Sequence, residues 1–235
     1  MPLNSRLLKI AGMIRKGDRV ADIGTDHAYL PVFLIKKGIS ERVFACDVAD
    51  GPLKTARENI EKSSVTEIEL RKGDGLAAIN ADEADTFVLA GMGGDLIADI
   101  ISSSAWIKNE RYELILQPMT SAEDLRRFLC ENGFRIKEER AVSSLGRIYT
   151  VIKTAYTGEK AECDPLFYYF GKLIEAPGED ELIYIKRKRR IISKLASDIG
   201  GIEAKSEQYR QLSSALKEID GLIEKWELTD YFYTE

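Results

Sequence analysis

The chain has 235 residues, of which 44% are hydrophobic and 31% charged, a composition typical of a soluble globular protein with a substantial core. No apolar run approaches the ~20 residues that a membrane-spanning helix needs, and the amino terminus lacks the pattern of a secretion signal, so we expect a cytoplasmic protein and no membrane partner. The formal net charge of −5 argues against a nucleic-acid partner unless positive charge is concentrated locally.

The cysteine and histidine content argues against a metal site. Cys46, Cys130 and Cys163 are scattered, odd in number and without C-x-x-C spacing, which is typical of a reducing compartment. His27 is the only histidine, so a histidine-based site is also disfavoured. We therefore expect no bound metal.

Strand and helix patterns alternate from the amino terminus to Lys153. In chain order, strands are predicted at 19–23, 42–46, 67–71, 85–89, 113–116, 134–141 and 147–153, and helices at 3–14, 28–35, 52–62, 94–103 and 121–131. This alternation predicts a parallel sheet with helices on both faces, and the last two strands predict an antiparallel hairpin. An open α/β sheet that ends in this way resembles the Rossmann-like methyltransferase fold.

The pattern changes after Lys153. Residues 157–160 resemble a linker, and apolar residues then recur at helical spacing over 182–199 and at heptad spacing over 209–226, with a break at Gly200-Gly201. The pattern predicts an antiparallel, coiled-coil-like helical hairpin, and the alternative is one bent helix packed on the core. We therefore expect an α/β domain over residues 1–156 and a helical hairpin domain over 157–235.

Polar residues and glycines cluster directly after the predicted strands. Because ligands of open α/β sheets bind outside the carboxyl ends of the strands, these residues are candidate ligand contacts. After the first five strands they are, in chain order, Asp22, Gly24, Asp26 and His27; Asp47 and Val48; Gly73, Asp74 and Gly75; Gly91, Met92, Gly93 and Gly94; and Gln117 and Pro118.

Each group suits a different part of S-adenosylmethionine. Gly24 lets the backbone approach the methionine moiety, Asp47 offers two acceptor oxygens to the ribose hydroxyls, and Asp74 can accept the adenine amino group. The sulfonium and ammonium groups are cationic, which favours an acidic pocket. An acid after the second strand also marks nicotinamide sites, but the G-x-G-x-x-G that such sites require is absent, because positions 26 and 28 are Asp and Ala.

Several runs together resemble the bacterial tRNA adenine-22 N1-methyltransferase family. They are Asn4–Leu7, the ten residues from Asp22 to Pro31, Gly73–Leu76, Gly91–Gly94 and Leu116–Pro118. The resemblance covers nearly the whole chain, and it implies S-adenosylmethionine as methyl donor and N1 of a tRNA adenine as acceptor. One departure from the family is Asp47, where Glu is expected. The first loop also lacks the D-x-G-x-G-x-G that is commoner among methyltransferases in general.

The residues after the fourth strand favour a ring nitrogen over an exocyclic amine as acceptor. Enzymes that methylate base amines usually carry [DNS]-P-P-[YF] there, whereas this chain has Ala90-Gly91-Met92-Gly93. A ring N1 already presents a lone pair, so it needs alignment and stabilisation of the positive charge that develops rather than a strong base. Since N1 lies on the Watson–Crick edge, a paired adenine must first be flipped out.

Three residues near the first loop have both a functional and a structural interpretation. Asp26 is the candidate for electrostatic stabilisation, and His27 either acts over the cofactor or base or supports the loop. Tyr29 either stacks on a base or belongs to the core. Arg6 either contacts RNA or pairs with a surface acid.

The densest positive run is the candidate for tRNA contact by the hairpin. It comprises Lys186, Arg187, Lys188, Arg189, Arg190 and Lys194. Such a run is often only a solvated helix face, and five successive residues circle a helix, so they do not all face one phosphate strand. Two other functions stay open: a methyltransferase for a small molecule or protein, and a non-catalytic RNA-binding module. No protein partner is evident from the sequence.

Overall fold

The computed structural model describes residues 3–200 and 206–232. The chain divides into two compact units, one up to Glu162 and one from Cys163 onwards. No helix of the described ranges is long and apolar enough to cross a membrane.

The first unit is built on a seven-stranded sheet in the order β3-β2-β1-β4-β5-β7-β6. The strands are β1 (Val20–Ile23), β2 (Val43–Asp47), β3 (Ile68–Lys72), β4 (Thr86–Gly93), β5 (Glu113–Thr120), β6 (Phe134–Ser144) and β7 (Arg147–Tyr156). Strands β1 to β5 pair in parallel, whereas β7 pairs antiparallel with both β5 and β6. The predicted α/β sheet with a closing hairpin is therefore confirmed.

Five helices accompany the sheet. They are α1 (Ser5–Met13), α2 (Tyr29–Lys36), α3 (Asp50–Ser63), α4 (Gly94–Ser102) and α5 (Ala122–Glu131). Helix α1 begins at Asn4, whose side-chain oxygen accepts a hydrogen bond from the amide of Leu7 at 2.9 Å. Its buried residues join the core beneath the sheet together with Leu34, Val88 and Ile115.

Strand β4, which contains the glycine-rich run, and its neighbour β5 are both longer than predicted. The prediction ends the fourth strand at Leu89 and the fifth at Leu116, but β4 continues to Gly93 and β5 to Thr120. Their pairing passes through register shifts at Ala90/Met92 and Met92/Gly93. A bulge of this kind leaves a residue unpaired and bends the strand, so the segment resembles a loop in the sequence.

The second unit is helical. Its helices are α6 (Pro165–Phe170), α7 (Glu179–Ile199) and α8 (Ser206–Phe232). Arg189 of α7 forms an ion pair with Asp220 of α8 at 2.8 Å, and the ring of Tyr209 lies beside Gly200. Because the residue numbers rise in α8 as they fall in α7, the two helices are antiparallel, as predicted. Of the predicted Gly200-Gly201 break, Gly201 lies outside the described residues.

The hairpin differs from the predicted apolar pattern at Leu195 in α7 and at Tyr209 in α8, which is 42% exposed. Ile185, Ile192 and Ile199 are buried as expected, but Leu195 is 41% exposed and Ala196 takes the buried position. The step from 192 to 196 covers four residues and the next step to 199 covers three, which keeps the buried stripe on one helix face. Helix α6 was not predicted.

Candidate functional site

A cavity of about 350 Å³ opens at the carboxyl ends of β1 and β4, and we call it the strand-end cavity. Strand order reverses between these two strands, so the cavity lies at the topological switch point of the sheet. It is lined by Asn4, Arg6, Leu7, Asp22, Gly24, Thr25, Asp26, His27, Ala28, Tyr29, Leu30, Ala90 and Gly91. Five predicted cofactor residues and two predicted RNA contacts, Arg6 and Tyr29, thus line one cavity.

The loop after β1 is held close to the neighbouring strand. The amides of Gly24 and Thr25 both donate to the carbonyl oxygen of Cys46 at the end of β2, at 2.8 and 2.9 Å. Gly24 has a φ of +80°, which favours glycine, and a Cβ at this position would overlap the terminal methyl group of Met92. Glycine is therefore favoured here mainly by backbone conformation, because the methyl group of Met92 is the end of a flexible side chain that can move.

Asp22 forms the buried floor of the cavity. Its side chain is only 7% exposed, and burial raises the pKa of this carboxyl from 3.8 to about 6. The Thr25 hydroxyl and the Arg6 guanidinium lower the pKa of Asp22, while Asp47 adds to the upward shift. A carboxylate that is costly to ionise in isolation is well suited to a cationic ligand.

The raised pKa of Asp22 predicts a specific dependence of stability on pH. Between about pH 4 and pH 6 the folded protein holds a proton on Asp22 that the unfolded chain has lost, so the free energy of unfolding should fall as pH rises through this window. The loss of unfolding free energy that Asp22 causes across this window should reach about 3 kcal/mol, which corresponds to about two pKa units. We expect the free energy of unfolding in urea to fall between pH 4 and pH 6 more steeply in the wild type than in Asp22→Asn. The same dependence on pH in both proteins would contradict the assignment.

Arg6 and Gln117 connect the cavity to the end of β5. Arg6 donates through Nη1 to Oε1 of Gln117 at 2.5 Å, and the same oxygen accepts a hydrogen bond from the Gly91 amide at 3.2 Å. Gln117 is fully buried, and its Nε2 donates to the Pro118 carbonyl oxygen at 2.8 Å. Partial burial lowers the pKa of Arg6, while nearby Tyr149 and Asp22 raise it. The guanidinium is thus fixed inside the cavity.

Asp26, His27 and Tyr29 form the mouth of the cavity. Nε2 of His27 lies 3.0 Å from Oδ2 of Asp26, and Asp26 is 72% exposed. The rings of His27 and Tyr29 are stacked, with centroids 5.1 Å apart. Within the described part of the chain, Nδ1 of His27 is buried and has no hydrogen-bond partner. A buried polar atom of this kind at a cavity wall is available to a ligand.

The predicted residues after β2 and β3 lie outside the lining of the strand-end cavity. The backbone amide of Gly73 donates to the Asp47 carbonyl oxygen at 3.1 Å, which joins these two loops. Oδ1 of Asp47 accepts from the Ala49 amide at 2.8 Å, while Val48 is 61% exposed. Asp74 is exposed and precedes a short 3-10 turn that starts at Gly75.

The glycine-rich end of β4 contributes backbone to the cavity. Gly91 has a φ of +80° and lies beside the guanidinium of Arg6. Met92 packs on Gly24, and Gly93 precedes α4. Ala90–Gly93 therefore supplies no acceptor side chain to the cavity, consistent with the interpretation of these residues as unsuited to an exocyclic amine.

The predicted basic run lies on α7. Arg187, Arg190 and Lys194 are exposed and fall within about 60° of arc on one helix face, because each residue advances by about 100°. Arg189 lies on another side, where it is paired with Asp220. Lys186 is exposed, and Lys188 is half-buried. Among the described residues, no group of three or more His, Cys, Asp or Glu side chains could hold a metal ion.

Sequence reasoning did not assign Asn4 or Thr25 to a site, although both line the cavity. Gln117 was a strand-end candidate because it stands directly after the fifth predicted strand, but its hydrogen bond with Arg6 was not predicted. Asn4 carried the signal of a helix cap.

Comparisons with known proteins show that this chain is similar to methyltransferases. A family model described as a methyltransferase domain matches residues 3–152. The tRNA (adenine(22)-N(1))-methyltransferase of Bacillus subtilis is 34% identical over 175 residues, which cover 74% of each chain.

Two solved structures that share the fold contain either the methyl donor or its demethylated product. A Streptococcus pneumoniae protein in complex with S-adenosyl-L-methionine is 27% identical, with a TM-score of 0.76, and the match covers 90% of this chain and 98% of that one. TrmK of M. capricolum in complex with S-adenosyl-homocysteine is 26% identical, with a TM-score of 0.76 and coverage of 94% and 98%.

Proposed function

The chain belongs to the tRNA (adenine(22)-N1)-methyltransferase family, and on this premise we propose that it transfers a methyl group from S-adenosylmethionine to N1 of an adenine in tRNA, adenine 22 by similarity. The observation that carries the proposal is the strand-end cavity, which combines acidic side chains with a close-packed backbone. We place the enzyme in the cytoplasm, where tRNA is its substrate.

The residues of the cavity fit S-adenosylmethionine. This donor supplies an activated methyl group on a cationic sulfonium. Asp22 and Asp26 offset positive charge, and the unpartnered Nδ1 of His27 is available to a polar group of the donor. Gly24 and Gly91 keep side chains out of the space that the donor needs. Asp47 and Val48 on one side, and Gly73, Asp74, Gly75, Met92 and Gly93 beyond them, are proposed to hold the ribose and adenine.

The same cavity suits an adenine N1 as acceptor. N1 presents its lone pair without deprotonation, so the residues need only orient the flipped base and stabilise the cation that forms. Arg6 is fixed by Gln117, and Tyr29 offers a ring face for stacking. Asp26 is the exposed carboxylate nearest the mouth, where it can face the developing positive charge.

Mass mapping of nucleosides tests this function directly. Unmodified tRNA incubated with the enzyme and S-adenosylmethionine should gain one methyl group, recovered as 1-methyladenosine from a single position. Recovery of N6-methyladenosine instead would contradict the N1 assignment. Methylation of protein or small molecules with none on tRNA would support the alternative methyltransferase, and no donor binding would support a non-catalytic RNA-binding module.

The assignment of Asp47 to the ribose predicts a loss of donor affinity. Losing a charged hydrogen bond costs ~1.5–3 kcal/mol, so Asp47→Ala should weaken S-adenosylmethionine binding by roughly 10- to 150-fold in calorimetry. Asp47→Asn is the matched control, because it keeps an oxygen for the Ala49 amide and should lose less affinity. Unchanged affinity in a folded Asp47→Ala protein would remove the assignment.

The hairpin is proposed to position tRNA through the cations of α7. Arg187, Arg190 and Lys194 share one exposed face, as contacts to a phosphate backbone require. Lys186 and Lys188 flank this face, and Arg189 stabilises the hairpin through Asp220.

Charge reversal on this face should weaken tRNA binding and spare the donor. If Arg187→Glu/Arg190→Glu/Lys194→Glu removes three phosphate contacts, the slope of log KM for tRNA against log salt should shrink by about 2.7. The control is Lys16→Glu/Lys108→Glu/Lys160→Glu, which reverses exposed lysines away from both proposed sites. Equal KM values and salt slopes in the two triple variants would show that the α7 face does not contact tRNA.

A further inference from the structure

A second and larger cavity of about 670 Å³ lies beside the strand-end cavity, and we call it the lysine groove. Helix α1 forms one wall with Leu8, α2 contributes Tyr29, Phe33 and Lys36, and α3 contributes Lys62. Lys37, the residue after α2, also lines the groove. All of these residues belong to the first unit. Of the residues in the sequence runs that resemble the methyltransferase family, only Tyr29 lines the groove.

The groove combines aromatic rings with positive charge. Tyr29 and Phe33 are half-buried, whereas Lys36, Lys37 and Lys62 are exposed. Its lining, within residues 3–200 and 206–232, includes no acidic side chain. The nearest carboxylate to Lys62 belongs to Glu58 at 3.9 Å, on an exposed helix face where such a contact is weak. In a chain of net charge −5, three lysines beside aromatic rings form a local basic surface.

The groove adjoins the strand-end cavity at Tyr29. Tyr29 lines both of them, and its ring stacks on His27 at the mouth of the strand-end cavity. Asn59, which also lines the groove, donates through Nδ2 to the His27 carbonyl oxygen at 3.0 Å. Helix α2 rises about 10 Å from Tyr29 to Lys36 at 1.5 Å per residue. That length matches about three nucleotide steps at 3.4 Å each.

We propose that the lysine groove binds the stretch of the substrate RNA strand next to the target adenine, with bases against Tyr29 and Phe33 and phosphates at Lys36, Lys37 and Lys62. Rings that stack bases beside cations that track the backbone are the common means of holding single-stranded nucleic acid. An unpaired strand is present here because the adenine must leave its helix to expose N1. This inference rests on the proposed function, since it names the part of the same substrate that lies outside the strand-end cavity.

Charge reversal tests the phosphate contacts. Lys36→Glu/Lys37→Glu/Lys62→Glu should raise KM for tRNA by about 10- to 100-fold near 0.1 M salt and reduce the salt slope of log KM by about 2, at ~0.7 per single-strand phosphate. The turnover number at saturating tRNA and the affinity for S-adenosylmethionine should stay near wild type. The Lys16→Glu/Lys108→Glu/Lys160→Glu protein is again the control for the change in net charge.

Substitution of Phe33 tests the proposed stacking of RNA bases separately from the phosphate contacts. Phe33→Ala should weaken tRNA binding by roughly 5- to 150-fold, the range for losing one base–aromatic stack, while Phe33→Trp should restore it. The tryptophan fluorescence of Phe33→Trp should also be quenched by tRNA, relative to the wild type with Trp106 and Trp226. Equal quenching by a free mononucleotide at matched phosphate concentration would mark a small-ligand site and overturn the proposal.

The two proposals fail in distinguishable ways. If the wild-type enzyme does not methylate tRNA, the proposed function is wrong. If it does, but the groove reversal matches the control reversal in KM and salt slope and Phe33→Trp is not quenched, the groove proposal alone is wrong. If the wild-type enzyme methylates tRNA and the groove variant is impaired only in KM, both the proposed function and the groove proposal are supported.

Discussion

Asp26→Asn should slow methyl transfer by roughly 10²–10³ at saturating tRNA and donor, the usual cost of removing one preorganised electrostatic group. The physical reason is that transfer to N1 leaves the adenine cationic, and Asp26 is the exposed carboxylate of the strand-end cavity. Once RNA covers the mouth, water is excluded and the charge interaction strengthens. Single-turnover kinetics isolates this chemical step, and calorimetry should find that donor affinity falls far less than the rate does.

Two variants make the Asp26 result interpretable. Asp95→Asn removes an exposed carboxylate at the start of α4, outside the cavity lining, and should leave the rate nearly unchanged. His27→Ala should slow the reaction without abolishing it, because N1 needs no general base. An unchanged rate for Asp26→Asn, together with complete loss and an abolished pH dependence for His27→Ala, would show instead that His27 is an essential base.

The fold was predictable because its signals are local. Alternating periodicities of apolar residues indicate each strand and helix, and the strand-end rule then places Asp22, Gly24, Asp26, His27 and Gly91 at one edge of the sheet. Where neighbouring strands decide the outcome, local signals fail. Ala90–Gly93 looks like a loop because glycine weakens strands, yet pairing with β5 carries the strand through it.

Arg6 illustrates why the site itself was only partly predictable. Its position near the amino terminus left contact with RNA and pairing with an acid equally plausible. The structure adds a partner that neither interpretation named, because Gln117, 111 residues away, accepts a hydrogen bond from Arg6, while contact with RNA stays a prediction. By contrast, α6 was missed although its signals were local: Asp164 accepts from the Phe167 amide at 2.8 Å, and Pro165 occupies the first turn. Six residues are too few for periodicity to detect.

The buried ion pair between Arg126 and Glu139 was also invisible in the sequence, and it predicts a large effect on stability. Both side chains are fully buried, with Arg126 Nη2 2.8 Å from Glu139 Oε1, and Thr150 donates to the same oxygen at 2.6 Å. The pair joins α5 to β6 beneath the sheet hairpin. Arg126→Met leaves a buried carboxylate without its cation, so the free energy of unfolding in urea should fall by about 3–5 kcal/mol.

A double variant separates the cost of a broken pair from the worth of the intact one. Because desolvation offsets most of the attraction in a buried pair, Arg126→Met/Glu139→Leu should recover much of the stability that Arg126→Met loses. The exposed pair of Arg140 and Glu138, at 3.0 Å, is the control, and Arg140→Met should cost no more than about 1 kcal/mol. A loss in Arg126→Met as small as the loss in Arg140→Met, measured by urea unfolding at neutral pH, would contradict the assignment of a large stabilising role to this buried pair.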